Sequence, residues 1–204
     1  MKTFNYLIVT VILLTFLSAC SNNKKQNEIP PETYDQVIKK GARISGEAQA
    51  VLLDNVSQAM QKGGPEYAIE FCNLQVSSIT EDLSREHDAI IGRVSEKNRN
   101  PENNLKNDAE KKLWKHMARA VKAGNGHDTL LMMNNKLVFY RPIKTIMPAC
   151  LECHGTPEED ILPSTLEKIQ TLYPNDKATG YEMNEFRGLW KISFANPELQ
   201  QSNP

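Results

Sequence analysis

In this 204-residue chain the run Met147-Pro148-Ala149-Cys150-Leu151-Glu152-Cys153-His154-Gly155 places two cysteines three positions apart, with histidine directly after the second. That order of residue types is the attachment signature of a c-type haem. Each thiol adds across one porphyrin vinyl group to form a thioether, and His154 is thereby delivered to the iron as an axial ligand. An imidazole ligand leaves the redox potential to be set by the opposite ligand, hydrogen bonding and burial. A structural zinc site would need a second Cys/His pair at ligand spacing, which the chain lacks. A thioredoxin-type Cys-x-x-Cys opens a helix in a βαβ unit, whereas Pro148 and Gly155 predict a loop around this one. The expected cofactor is one covalent haem c on Cys150, Cys153 and His154.

The N-terminus predicts export. Lys2 supplies a short positive region, and Tyr6 to Phe16 forms an apolar core within the range of signal peptides. It closes on Leu17-Ser18-Ala19-Cys20, which resembles a bacterial lipobox cut before cysteine. Residues 1–19 are thus expected to be a lipoprotein signal peptide and Cys20 the lipidated first residue, anchored in a bilayer on the periplasmic side. Export matches the first motif, because thioether haem attachment in bacteria takes place outside the cytoplasm. The polar residues 20–32, with Pro30-Pro31 near their end, read as a tether, residues 33–196 as one domain with its own core, and residues 197–204 as a flexible tail. A formal charge of −1 with no basic stripe argues against a nucleic-acid partner. Of four cysteines, Cys20 goes to lipid and Cys150 and Cys153 to haem, which leaves Cys72 without a disulfide partner.

These sites need elements to position them. Thr33 or Asp35 caps an expected helix to about Gln61, in which Val37, Ile38, Ile44, Ala48, Val51, Leu52 and Val56 recur at helical spacing. Gly63-Gly64 ends it, and Pro65 opens a second helix to about Ser84. There Ala68, Cys72, Val76, Ile79 and Leu83 share one face, so Cys72 is expected to point into the core. Ala89–Ser95 reads as a strand, Asn98–Asn104 as a turn-rich loop, and Asn107 or Asp108 to Ala123 as a helix. Thr129–Ile143 reads as two strands around Asn134-Asn135-Lys136, Ser164 to about Tyr173 as a helix, and Phe186–Phe194 as a last strand. Helices first, then short strands around a haem loop, predict an α+β domain with a small antiparallel sheet. Trp114 and Trp190 are expected in the core.

Several of these segments together resemble a known family, the single-haem c-type domains with a PAS-like core that occur in periplasmic proteins and as sensory inputs of some membrane histidine kinases. The resemblance rests on Gly64-Pro65 with Cys72, Arg93-Val94-Ser95, Arg99-Asn100-Pro101 with the charged helix to Trp114, Cys150–Gly155, and Gly188-Leu189-Trp190-Lys191-Ile192-Ser193. It implies that Cys72 is the second axial ligand, giving a histidine/thiolate haem. A thiolate donates electron density and favours the ferric state, so a low potential is expected. The rival sixth ligands are weaker. His87 and His116 stand among charges typical of solvated faces, His127 sits in a turn, and Met183 is flanked by Glu182 and Asn184 as a packing residue would be. Arg93, Arg99 and Arg141 are candidates to pair with the haem propionates, because a planar guanidinium matches a carboxylate.

The expected function is low-potential electron transfer or redox response at a membrane, with a redox partner protein. A haem-based redox or gas sensor signalling to a partner is the alternative. A peroxidase would need an open distal pocket with an acid/base group, and a cysteine there works against it.

Overall fold

The computed structural model describes residues 31–194 apart from Asn135. The signal segment, residues 20–30 of the tether with Cys20, and the tail 197–204 lie outside the described residues, whereas Pro31 and Glu32, expected in the tether, are helical. Among the described residues, no helix is long and apolar enough to cross a membrane.

Helix α1 (Pro31–Glu86) is broken at Gly63-Gly64, where Gly64 takes the left-handed backbone (φ 70°) that suits a residue without Cβ. The break is where the sequence places it, although the first arm starts at Pro31 rather than at a Thr33 or Asp35 cap. Ile44 and Ala48 of the first arm share one apolar cluster with Leu83 of the second. A straight helix would hold Ile44 and Leu83 roughly 60 Å apart at its usual rise, so the arms fold back on each other.

β1 (Ala89–Val94), β2 (Thr129–Met133), β3 (Lys136–Lys144) and β4 (Phe186–Phe194) form an antiparallel sheet in the order β1-β4-β3-β2. The α+β expectation, a small antiparallel sheet flanked by helices, holds. Side chains alternate across a strand, and each face buries its own cluster. One face gathers Ile91, Phe139, Trp190, Ile192 and Phe194 under α1. The other gathers Val94, Val138, Tyr140 and Leu189 under Leu113, Trp114 and Met117 of α2 (Asp108–Lys122). Phe186 joins Leu189 on that face because the β3–β4 register slips between Ile143 and Lys144. Both tryptophans are buried, as expected.

Two local devices fix the helices against the sheet. A Cβ on Gly41 would lie 2.3 Å from the Phe139 ring, so only glycine lets α1 come this close. At the start of α2 the Asn107 side chain accepts from Glu110 N (3.0 Å), and Glu110 reaches back to accept from Lys106 N (2.6 Å). A cap contributes about 1 kcal/mol, whereas each fully buried large apolar side chain contributes about 1.5–3 kcal/mol. The two sheet faces therefore dominate the stability.

The haem-attachment motif departs from expectation. It is not a loop but a seven-residue helix, α3 (Pro148–His154). Proline suits the first turn of a helix, where its missing N–H has no partner to lose. Helix α4 (Pro163–Leu172) opens on proline in the same way.

A candidate haem site of three cysteines, one histidine and converging arginines

Cys150 and Cys153 are three apart on α3 and so present their thiols to one side of it. His154 ends the helix, and its backbone is held from two directions. Tyr181 N donates to His154 O (3.0 Å) and Gly180 N to Gly155 O (2.7 Å). The imidazole Nδ1 lies 2.8 Å from Ala178 O. A carbonyl accepts only from N–H, so Nδ1 carries the proton and Nε2 keeps its lone pair, the tautomer a metal requires. Burial holds the His154 pKa well below the usual histidine range, and the charges of Arg187 and Arg99 press it lower. The ring is therefore neutral.

The second arm of α1 brings Cys72 to this place. Its side is half-buried rather than sunk in the core. Burial pushes its thiol up, while Arg93 and Arg99 pull it back down. Burial likewise pushes Cys153 up to about 11, and the charge of Cys72 adds to that rise against the pull of Arg99. Cys72 thus lies within electrostatic reach of α3, although 78 residues separate Cys72 from Cys150 in sequence.

The arginines sort into three roles. Arg99 is buried and grips α3: Nη2 donates to Cys153 O (2.6 Å), while Nε and Nη2 hold the Asp176 carboxylate at 3.1 and 3.2 Å. Its fork is thus filled by the protein itself. Arg93 lies over the Trp190 ring (5.7 Å) and faces Cys72 and Tyr173, with no hydrogen-bond acceptor or ion-pair partner among the described residues. Arg187 of β4 is a site residue that reading the sequence missed. Its Nη1 donates to Ser95 Oγ (3.2 Å) and Lys97 O (3.1 Å), but Nε is buried with no partner. An arginine inside the apolar run Phe186–Trp190 was the available signal. Arg141, expected here, is elsewhere. It clamps Asp128 with two bonds (2.9 and 2.6 Å) and donates to Ala42 O (2.8 Å), so it ties β3 to the first arm of α1.

Of the rival ligands, His116 and His127 are exposed, as expected. Met183 is exposed rather than packed, and His87 is buried rather than solvated.

Whether a haem suits this place can be judged from charge. Arg93, Arg99 and Arg187 lie close enough to act on one another, and Asp176 is the acidic partner of Arg99. Two half-buried guanidinium charges, Arg93 and Arg187, have no ion-pair partner among the described residues, and Arg187 Nε is shut off from solvent, which is costly unless a ligand supplies a counter-ion. A dianionic group answers that need, and the two propionates of a haem carry that charge. The thiols, the neutral imidazole and the unpaired guanidiniums therefore fit the group.

Fold and site together define an α+β domain built around a Cys-x-x-Cys-His helix. The chain belongs to the Tll0287-like family, whose model (Tll0287) matches residues 18–195. Among solved structures, the crystal structure of the cyanobacterial haem protein Tll0287 is similar in fold. It has a TM-score of 0.58 and 17% identity over 81% of this chain and 96% of that one. No curated protein matches the chain.

Proposed function

We propose that the chain is an exported, lipid-anchored c-type haem protein for low-potential electron transfer or redox response. Cys150 and Cys153 would hold the porphyrin, His154 and Cys72 the iron, and Arg93 and Arg187 the propionates. Cys20 would hold the membrane. The observation that carries this reading is the His154 imidazole, half-buried, neutral and oriented by Ala178, on the same helix as two thiols and close to two arginines without an ion-pair partner among the described residues. The name of the solved relative, a haem protein, supports it.

When bound, the haem supplies a one-electron couple. The chain does the rest. Ala178 keeps Nδ1 protonated, so Nε2 would be free to hold the iron. Arg99 fixes the height of α3 through Cys153 O. Burial raises the Cys72 thiol, Arg93 and Arg99 offset part of that rise, and a thiolate ligand would hold the couple toward the oxidised state. The sensor reading draws on one further observation: Cys72 stands on α1 while the porphyrin-bearing residues stand on α3. Loss of the sulfur ligand would then release one element from the other and signal to a partner.

Protein matured with a cytochrome c assembly system should keep its haem through a denaturing gel and show a low-spin, thiolate-type ferric electron paramagnetic resonance spectrum. Cys153→Ala should lose most of the covalent haem. A high-spin, water-ligated ferric spectrum in the wild type would sink the closed, six-coordinate reading.

Arg187→Leu should lower the reduction potential, because removing a buried positive charge favours the ferric state. About tenfold in the equilibrium, or 59 mV for one electron, is the expected size. Spectroelectrochemical titration beside Arg119→Leu, an exposed control, checks it.

A further inference from the structure

One buried polar group has no part in the site above. His87, just past the end of α1, has a side chain only 8% exposed. Its Nε2 is shut off from solvent and has no hydrogen-bond partner. An unpaired buried nitrogen of this kind costs about 1–3 kcal/mol and calls for a physical reason. Glu47 Oε2 lies 3.3 Å from it, without the alignment a hydrogen bond needs. Glu86 completes the group: one ligand atom from each of Glu47, Glu86 and His87 lies within 4.8 Å of the others.

We infer that Glu47, Glu86 and His87 form a site for a divalent transition metal, of which zinc is the type, latching the first arm of α1 to the end of the second. The donor set is one imidazole nitrogen and two carboxylate oxygens, which suits a borderline or hard divalent ion and not a soft monovalent one. Three protein ligands leave a fourth position for water. Metal–ligand bonds near 2.1 Å in a tetrahedron put neighbouring donor atoms about 3.4 Å apart. The 3.3 Å between His87 Nε2 and Glu47 Oε2 already matches that edge, and the exposed Glu86 carboxylate has only to swing inward. Two carboxylates and a neutral imidazole balance a charge of +2. The nearby cation is Arg43, 3.6 Å from Glu47 Oε2 and 61% exposed, so it can withdraw into solvent. The ligands come from both arms, so metal would tie down the arm that carries Cys72 from its far end.

Calorimetric titration of the haem-loaded chain with zinc chloride tests this. One Zn²⁺ per chain should bind with a dissociation constant on the order of 1–100 µM. His87→Ala should weaken that binding by at least about 100-fold and Glu47→Gln by about tenfold. Cys72→Ala and the exposed-acid control Glu81→Gln should bind as the wild type does, which separates this site from the thiols. No saturable binding below about 1 mM, or binding that neither His87→Ala nor Glu47→Gln alters, overturns the proposal and leaves a plain histidine–carboxylate pair. Glu47→Gln decides the matter alone should His87→Ala fail to fold.

Discussion

Cys72→Ala should turn a low-spin ferric centre into one with high-spin, water-ligated features and raise its reduction potential by more than any other single change in the chain. Axial ligands set haem potentials over a span of about 0.8 V, so replacing a thiolate by water should move the couple by at least about 100 mV. At 59 mV per decade for one electron, that is roughly a fiftyfold shift in the equilibrium. Cys72 stands within electrostatic reach of Cys153, and Arg93 and Arg99 pull its thiol down against the larger upward push of burial. Alanine leaves the helix intact, since it is the best helix former, so a change in the spectrum reports ligation and not unfolding. Identical spectra and potentials in wild type and variant would show that the sulfur never meets the metal. The porphyrin-bearing residues would be untouched by that result.

The largest stability effect is expected on the opposite face of the sheet. Glu110 is fully buried and accepts from Lys191 Nζ (2.6 Å), Lys106 N (2.6 Å) and Tyr140 Oη (2.9 Å). Burial alone would raise its pKa, but these bonds and the Lys191 charge outweigh burial and hold it below the usual carboxylate value. Glu110→Leu strands the Lys191 ammonium and leaves the Tyr140 hydroxyl only the weak acceptor Met133 Sδ (3.1 Å). Breaking a buried pair costs 3–5 kcal/mol, but Lys191 is 24% exposed and can turn to water, so about 2–4 kcal/mol is expected. In a chain of this size that lowers the melting temperature by roughly 5–15 °C. The pH dependence has a definite sign. A carboxylate whose folded pKa is depressed lends stability above its unfolded value, and that contribution disappears as pH falls through the folded value. The wild type should therefore lose stability below about pH 4.5 more steeply than Glu110→Leu. Tyr140, its pKa raised by burial and by Glu110, adds the mirror effect: stability is lost as pH climbs above the ordinary tyrosine value. Thermal melts of both proteins across pH 3–11 would expose either failure, and parallel curves at acid pH would refute the role given to Glu110.

Much of this architecture could be read from local pattern. The strand Phe186–Phe194 and the break at Gly63-Gly64 follow from alternation and paired glycines, and the start of α2 follows from Asn107. The Cys-x-x-Cys-His spacing is visible without any fold. What local pattern misled was α3, because proline before and glycine after a short run mark a loop as readily as a one-and-a-half-turn helix. What it could not hold was which arginine goes where. Arg141 and Arg187 both sit in strands with apolar neighbours, and only the cross-strand register decides their company. Arg141 lies opposite Trp190 beneath the first arm of α1, where Asp128 and Ala42 O claim it. His87 stands in a charged tetrapeptide that looks solvated, yet the folding back of α1 lays Glu47 over it.

The Arg99 grip on α3 has a bearing on the order of events during folding. Arg99 meets Cys153 across 54 residues and Asp176 across 77, and Arg187 meets Ser95 across 92. Contacts between such distant partners close late, because the intervening chain must first give up its freedom. The enclosure around the Cys150–His154 segment is thus sealed only once the final strand has docked. Until then both thiols of α3 stay uncovered.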